Sequence, residues 1–260
     1  MQNQNCKSVS NNRAQTVAII LAAGISSRMK TDTPKVLHEV CGRPMLAYVL
    51  DACRQAGMKK IFAVVGSGVE LVKEQFADAD DISWVLQAEQ KGTAHAVLCC
   101  KEQLSDFQGD TFVLCGDGPL IRAETLQTLM KKHTSEQAAL TLATVVLDKP
   151  DGYGRIVRNE DGTLREIVED KDCTKEQLAV KEVNPSYYLF RNKVLFDAAE
   201  KVKPDNVKKE YYLTDALSII IAAGHKVSAV TAVRSEEAMG ANDKKELDKI
   251  NKVMQQRIKN

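Results

Sequence analysis

Short apolar runs alternate with segments of helical periodicity along the first half of this sequence. The first run, residues 17–23, has no polar side chain and ends at Gly24. Such a run is typical of a strand buried on both faces of a parallel sheet. Further strands are predicted at 61–65, 84–86 and 111–115, with helices at 44–56, 69–76, 93–104 and 123–133. Strands that alternate with helices in this way predict an α/β fold.

The second half adds antiparallel structure to this parallel core. Asp161-Gly162 is a strong hairpin signal between two strand patterns. Thr214 is predicted to cap a helix that Gly224 closes, and Asn242 to cap a terminal helix. The predicted strands are residues 138–146, 154–158, 164–168, 183–190 and 227–233.

Composition narrows the class of protein. The 260 residues carry 36 Lys and Arg against 35 Asp and Glu, and 44% are hydrophobic, so the chain can bury a sizeable core. A net charge of +1 offers no field that would attract nucleic acid or an anionic membrane, and we expect neither as a partner. Any phosphate chemistry must therefore come from a local cluster of charges or a metal ion.

The ends of the chain and its cysteines complete the domain prediction. Residues 1–15 form a polar leader, expected to be disordered, ahead of one domain over 16–241 and a C-terminal helix over 242–260. The longest mainly apolar runs, 17–23 and 217–223, are far shorter than the roughly twenty residues of a spanning helix. Seven cysteines without a C-x-x-C pair indicate reduced thiols, hence a cytoplasmic protein without a thiolate metal site.

The loop after the first strand is a candidate phosphate site. Leu21-Ala-Ala-Gly24 lets the backbone approach a ligand, and Arg28 and Lys35 add positive charge beyond it. The loop is predicted at the carboxyl end of the first strand, where open α/β sheets bind ligands. The alternative is a plain turn with two solvated cations. A rival motif at residues 64–70 lacks the third glycine of a dinucleotide fingerprint and is interpreted as a structural turn.

Two further strand ends carry polar groups. Asp117 follows the strand at 111–115 and is either a ligand for Mg²⁺ or a residue that stabilises its own Gly-Asp-Gly-Pro turn. Gln87 presents an amide donor and acceptor that can match uracil or, flipped, cytosine. Gly92 and Thr93 begin the next helix, in which His95 is interpreted as a packed residue rather than a catalytic base.

Together these segments resemble the sugar nucleotidyltransferases, and most closely the N-acetylglucosamine-1-phosphate uridylyltransferase (pyrophosphorylase) domain of the bacterial bifunctional enzyme. The Gln-x-x-x-x-Gly-Thr, Gly-Tyr-Gly-Arg and Glu-Tyr-Tyr-Leu-Thr-Asp segments are specific to the uridylyl branch. The residues that carry the resemblance are Leu21-Ala-Ala-Gly24, Arg28-Met29, Pro34-Lys35, residues 87–93, Gly116-Asp117, Pro119, residues 152–156, residues 167–171, Asn184, residues 210–215 and Asn242.

The resemblance implies a Rossmann-like, mixed but mainly parallel sheet with added antiparallel hairpins, and a role for each matched residue. Arg28 and Lys35 would be catalytic and would bind the nucleotide phosphates. Asp117 and Asn242 would bind Mg²⁺. The substrate-binding residues would be Leu21, Ala22, Ala23 and Gly24 for the nucleotide, Gln87, Gly92 and Thr93 for uracil, and Gly154, Glu169 and Asn184 for the amino sugar.

The chain departs from the family pattern in three places. Ser26 stands where the loop usually has glycine, and Pro185-Ser186 replaces the usual Thr-Gly, which removes a backbone donor beside the sugar site. The hexapeptide repeats of the family's acetyltransferase domain are absent from these 260 residues, so the second activity and its trimer are not expected. No other feature predicts an oligomer.

The resemblance therefore predicts Mg²⁺-dependent transfer of a uridylyl group from UTP to N-acetyl-α-D-glucosamine 1-phosphate, which makes a sugar nucleotide for cell-wall synthesis. Another sugar-1-phosphate nucleotidyltransferase is the first alternative: a glucose-1-phosphate uridylyltransferase, a thymidylyltransferase or a cytidylyltransferase. A non-catalytic sugar-nucleotide-binding module is the second. That module would need Asp117 or Asn242 to be missing, and both are present.

Overall fold

The computed structural model describes residues 15–24, 28–29, 31–66, 68–231 and 233–259. Nearly all of the predicted leader lies outside these residues. The strands are β1 (Thr16–Ala22), β2 (Glu39–Val40), β3 (Arg43–Pro44), β4 (Ile61–Val65), β5 (Ile82–Leu86), β6 (Asp110–Cys115), β7 (Leu140–Ala143), β8 (Val145–Val146), β9 (Gly154–Arg158), β10 (Leu164–Val168), β11 (Glu182–Asn184), β12 (Tyr188–Arg191) and β13 (Val227–Val230). The helices are α1 (Met45–Gln55), α2 (Val69–Gln75), α3 (Thr93–Leu98), α4 (Lys101–Leu104), α5 (Ala123–Glu136), α6 (Lys175–Leu178), α7 (Asn192–Ala199), α8 (Ala216–Ala222) and α9 (Lys244–Lys259).

A seven-stranded sheet in the order β13, β7, β12, β6, β1, β4, β5 forms the centre of the molecule. β1 runs parallel to both β4 and β6, and β4 runs parallel to β5. β12 is antiparallel to β6 and β7, while β13 is parallel to β7. The chain leaves β1 toward β4 and β5 on one side and returns to β6 on the other. This reversal next to β1 is the switch point at which open α/β sheets bind ligands.

The first strand is buried on both faces, as predicted. Ala18 and Ile20 pack with residues of α1 and α5 on one face of the sheet. Val17 and Ile19 pack with residues of α3, α7 and α8 on the other. Alternate side chains of one strand therefore enter two separate apolar layers, because successive side chains of a strand point to opposite faces.

A second, four-stranded sheet lies beside the first, in the order β10, β9, β11, β8. β9 and β10 form the antiparallel hairpin that Asp161-Gly162 predicted. The fold class is thus confirmed: a mixed, mainly parallel sheet flanked by helices, with antiparallel hairpins added.

Two long strand predictions were wrong in their extent. The segment 138–146 divides into β7 and β8, and the segment 183–190 divides into β11 and β12, with one part of each in either sheet. In the second segment the break has a clear cause. Pro185 has no N–H to donate to a ladder, and Ser186 adopts a φ of 64°.

Three helix predictions also needed correction. The helix predicted over 93–104 is divided into α3 and α4 by a tight turn, in which the Cys100 N–H donates to the Val97 carbonyl at 2.9 Å. Thr214 does not cap α8, because its hydroxyl donates instead to Glu169 Oε1 at 3.2 Å. Asn242 does not cap α9: Asp243 Oδ1 accepts from the Glu246 N–H at 2.8 Å and takes that role.

The last helix packs against the end of the sheet that carries the candidate site. Ile250 and Met254 of α9 are buried with Met29, Val40 and Leu120 in a small apolar cluster. No helix in the described part of the chain is long and apolar enough to cross a membrane. The six cysteines within the described ranges are all free thiols.

Candidate active site

The carboxyl ends of neighbouring parallel strands bring the sequence-predicted loops to one edge of the sheet. Gly24 follows β1, Asp117 follows β6, and Gln87 follows β5. The loops after β1 and β6 lie against each other, since the Gly116 N–H donates to the Leu21 carbonyl at 2.9 Å. Gln87 belongs to the same edge, where its N–H donates to the Val65 carbonyl at 2.8 Å.

Four predicted side chains meet beside Gly24. The Lys35 ammonium contacts the Asp117 carboxylate and donates to Asn242 Oδ1 at 2.8 Å. Arg28 donates to the same Asn242 oxygen at 2.9 Å. A Cβ added at Gly24 would lie 3.9 Å from Cδ of Lys35, so the small-residue turn is within contact of this cluster. Ser26 and its neighbours 25 and 27 lie outside the described residues.

Asn242 can turn its amide into this cluster because it is not the helix cap. Its own N–H donates to Glu246 Oε2 at 2.7 Å, which fixes the backbone just before α9. The preceding Ala241 N–H donates to the Asp117 carbonyl at 3.2 Å. Residues more than a hundred positions apart are thus joined by their backbones as well as by their side chains.

The oxygen pair of Asp117 and Asn242 has the chemistry of a hard-cation site. Both oxygens contact the same ammonium nitrogen, so they are close enough together to share one positive group. A carboxylate and an amide oxygen are ligands that Mg²⁺ accepts, and Mg²⁺ usually completes its shell with water and substrate phosphates. The donor set therefore fits the cation, with Lys35 as a neighbouring charge that shares the same oxygens.

The predicted base-binding residues form a second cluster. Gln87 is only 4% exposed, and its Nε2 lies 3.1 Å from the Gly92 carbonyl and 3.0 Å from His95 Nδ1. In this orientation, the two contacts use the NH₂ group of the amide and not its carbonyl oxygen. His95 holds the Gln87 amide from the first turn of α3.

Thr93 ties this cluster to the segment 210–215. Its hydroxyl oxygen accepts from the Leu213 N–H at 2.8 Å, and the Ala94 N–H donates to the Tyr211 carbonyl at 2.9 Å. The backbones at 92 and 211 are so close that a Cβ at Gly92 would lie 2.5 Å from the Tyr211 oxygen.

We expect Gly92→Ala to destabilise the protein by roughly 3 kcal/mol, because the φ of 113° is strained for alanine and the new methyl group strikes backbone atoms. Gly224→Ala is the matched control. It has a φ of 76° but no atom within 4 Å of the added Cβ, so it isolates the backbone strain of about 1 kcal/mol. Chemical denaturation of both variants measures the difference, and equal losses would contradict the close approach.

The predicted sugar-binding residues form a third cluster. Asn184 pairs with Gly154 across the second sheet, and a Cβ at Gly154 would lie 3.7 Å from Glu169 Oε1. Asn184 Oδ1 accepts from the Ser186 N–H at 3.0 Å, and its Nδ2 donates to the Tyr188 hydroxyl. Burial raises the pKa of Glu169, and the Thr214 hydroxyl opposes that rise by donating to it.

Sequence reasoning missed three residues of this edge as site residues. Gln90 donates from Nε2 to the Ala23 carbonyl at 2.6 Å and so links the phosphate turn to the base-binding loop. Tyr188 and Thr214 orient Asn184 and Glu169. Gln90 and Thr214 lie inside motifs that carry the family resemblance. Tyr188 does not, and its partner Asn184, four positions earlier, belongs to a strand of the other sheet.

Comparisons with known proteins show which family the chain is similar to. Residues 18–209 match the family model of the MobA-like NTP transferase domain. The bifunctional protein GlmU of Bacillus cereus (strain G9842) is 46% identical over 241 residues, which is 93% of this chain and 52% of that protein. The GlmU proteins of Bacillus thuringiensis (strain Al Hakam) and Bacillus anthracis (strain CDC 684 / NRRL 3495) match with the same identity and coverage. The chain spans about half the length of these relatives.

A solved structure shows the same architecture. UDP-glucose pyrophosphorylase complexed with UDP-glucose superposes with a TM-score of 0.74 at 15% identity, over 94% of this chain and 99% of that one. At this identity the likeness concerns the fold alone. The family model covers most of the chain, including the loops after β1, β5 and β6. The chain therefore belongs to the family of MobA-like NTP transferase domains.

Proposed function

We propose that the protein transfers the uridylyl group of UTP to N-acetyl-α-D-glucosamine 1-phosphate, with release of pyrophosphate. One observation carries the proposal: Lys35 contacts both Asp117 and Asn242 beside the β1 turn. Two cations and two oxygen ligands at one strand edge make a site for a polyphosphate and its counter-ion. The identity of 46% to GlmU proteins supports the uridylyl branch over other members of the superfamily.

The phosphate part of the site needs no protein nucleophile. An oxygen of the sugar phosphate, already ionised, attacks the α-phosphorus of UTP. The bond from that phosphorus to the bridging oxygen breaks, and its electron pair leaves with pyrophosphate. The protein contributes in-line positioning and charge. Residues 21–24 would line the nucleotide, and Arg28 and Lys35 would neutralise the phosphates.

Asp117 and Asn242 would hold Mg²⁺, which supplies further charge neutralisation at the phosphates when it is bound. Because Lys35 contacts the same two oxygens, these side chains are already oriented toward a positive group. The ammonium would then be released to contact phosphate oxygen.

The base-binding cluster favours uracil or thymine. The Nε2 atom of Gln87 is directed at the Gly92 carbonyl and His95, so its carbonyl oxygen is the acceptor offered to the base. Uracil and thymine carry an N–H at position 3, whereas cytosine has an acceptor there. The orientation of the Gln87 amide therefore favours uracil or thymine over cytosine, both of which the amide alone could match.

The amino sugar would contact Glu169, Asn184 and the backbone of Gly154. Glu169 can accept from two hydroxyl groups, and its carboxylate already accepts from Thr214. Asn184 is 4% exposed and held at both ends of its amide, so it presents a fixed edge. The residue after Asn184 is Pro185, which has no backbone N–H to donate to the sugar.

Product analysis tests the proposal. The protein is incubated with UTP, dTTP or CTP and with the 1-phosphates of N-acetylglucosamine, glucose and galactose, with and without Mg²⁺. We expect Mg²⁺-dependent UDP-N-acetylglucosamine and pyrophosphate. Preference for glucose 1-phosphate or dTTP would support the first alternative, and binding of UDP-N-acetylglucosamine without any turnover would support a non-catalytic module.

A further inference from the structure

The segment 116–120, which carries Asp117, is attached to the C-terminal part of the chain at two points. The Ala241 N–H donates to the Asp117 carbonyl at 3.2 Å. Farther along, Nη1 of Arg257, near the end of α9, donates to the Leu120 carbonyl at 2.6 Å. Leu120 is fully buried against Ile250 and Met254 of the same helix. The residue stretch just before α9 and the far end of α9 thus hold the segment on either side of Pro119.

The same helix also fixes Asn242. Glu246, in its first turn, accepts from the Asn242 N–H at 2.7 Å, while Asp243 caps that turn. Asn242 and the Leu120 carbonyl are therefore attached to opposite ends of α9, roughly 16 Å apart along its axis. A straight helix between them is a rigid spacer, so the Ala241 N–H holds the Asp117 end of the segment near Asn242 while Arg257 holds its Leu120 end.

The environment of Arg257 is a costly one for a charge. Its side chain is 18% exposed, and its nearest carboxylate contact is Glu236 at 3.7 Å, beyond hydrogen-bond distance. Among the described residues, Nε and Nη2 of Arg257 are buried and have no hydrogen-bond partner. Burial lowers the pKa of the guanidinium, and the nearby charge of Arg122 lowers it further. In the described part of the chain, the bond to the Leu120 carbonyl is therefore the one hydrogen bond that this guanidinium makes.

We propose that Arg257 is a positioning residue that holds the Asp117 segment, through the Leu120 carbonyl, at the spacing from Asn242 that a divalent cation needs. The inference rests on the proposed function in that it takes these two oxygens as cation ligands. Residues that hydrogen-bond a metal ligand commonly change the metal affinity by about 10-fold to 100-fold when replaced, and Arg257 acts one step farther out, so we expect an effect at the low end of that range.

The test compares the full-length protein with Arg257→Met and Arg257→Lys. Mn²⁺ is the probe, titrated by electron paramagnetic resonance with and without UTP, beside the Mg²⁺ concentration at half-maximal rate. We expect Arg257→Met to weaken Mn²⁺ binding about tenfold. Arg257→Lys, which keeps one charged donor, should weaken it less, and it gives the answer if the methionine variant fails to fold.

Arg54→Met is the matched control. Arg54 is a partly buried arginine that donates to both oxygens of Asp81, at 2.7 Å from Nε and 2.6 Å from Nη2. This pair lies at the amino ends of β4 and β5, the opposite edge of the sheet. We expect Arg54→Met to lower the melting temperature at least as much as Arg257→Met while Mn²⁺ affinity stays at the wild-type value.

Three outcomes would overturn the inference: wild-type Mn²⁺ affinity in Arg257→Met, equal losses of affinity in the Arg257 and Arg54 variants, or a wild-type protein that binds no Mn²⁺. Failure of the proposed function has a different signature. A wild-type protein that binds Mn²⁺ but forms no sugar nucleotide would overturn the catalytic proposal, and the comparison of Mn²⁺ affinities would still decide the role of Arg257.

Discussion

We expect Asp117→Asn to lower the rate of pyrophosphate release by roughly 10³-fold, with the fold intact. The substitution keeps the shape of the side chain but removes the negative charge that faces Lys35. The backbone around it is independently fixed, by the Ala241 N–H at the Asp117 carbonyl and by Gly116 at Leu21. The loss of rate should therefore come from the missing charge at the site and not from a change in the conformation of the turn.

Raising the Mg²⁺ concentration should restore little of this rate, since the amide that replaces the carboxylate is a neutral and weaker ligand. Asp148→Asn is the matched control, because the Asp148 side chain is 97% exposed and pairs with Lys181 at 3.3 Å on the surface. We expect wild-type turnover from it. A near-normal rate in Asp117→Asn would mean that the cation is held elsewhere.

The parallel half of the fold is predictable from sequence because its strands lie between two apolar layers. Ala18 and Ile20 pack in one layer, and Val17 and Ile19 pack in the other. All four residues must therefore be apolar, and the strand is recognisable in the sequence as a continuous apolar run. Local apolar runs of this kind carry their own signal. The hairpin at Asp161-Gly162 is equally local, since turn chemistry fixes it within a few residues.

The sequence contains no comparable signal for the division of a long apolar run between two sheets. Residues 138–146 form an almost unbroken apolar run. Nevertheless, β7 ends at Ala143 in the seven-stranded sheet, and β8 begins at Val145 in the four-stranded sheet. Apolar side chains can be buried in either sheet, so the apolar pattern does not predict where one strand ends and the next begins. Only Pro185, which cannot donate to a ladder, could have indicated the second division.

The candidate site shows the same contrast between local and distant signals. The turn at Gly24 and the aspartate after β6 follow from strand ends and small residues. Asn242 was expected to act as a helix cap, but Asp243 takes that role and leaves the Asn242 amide beside Lys35. Contacts such as Gln90 with Ala23, or Arg257 with Leu120, join residues 67 and 137 positions apart and depend on the packed structure.

Lys35→Met should lower kcat by about 100-fold, through loss of one charged donor to the transferring phosphoryl group. The Lys35 side chain is 13% exposed, and methionine of similar length fills the same space without charge. Lys35→Arg should restore little activity, because a planar guanidinium cannot take the place of a compact ammonium between two oxygens. Steady-state assays of pyrophosphate release, with UTP and sugar phosphate varied separately, measure these effects.

Mn²⁺ binding separates this charge effect from a structural one. The Lys35 ammonium contacts the Asp117 carboxylate and lies 2.8 Å from Asn242 Oδ1. An incoming cation must therefore displace the ammonium from these oxygens. Removal of the ammonium should therefore leave Mn²⁺ affinity unchanged or raise it while turnover falls. Lys181→Met, at a side chain 59% exposed, serves as the control and should change neither quantity. A parallel fall in turnover and Mn²⁺ affinity in Lys35→Met would instead assign Lys35 to holding the loop together, and the phosphate charge would then have to come from Arg28.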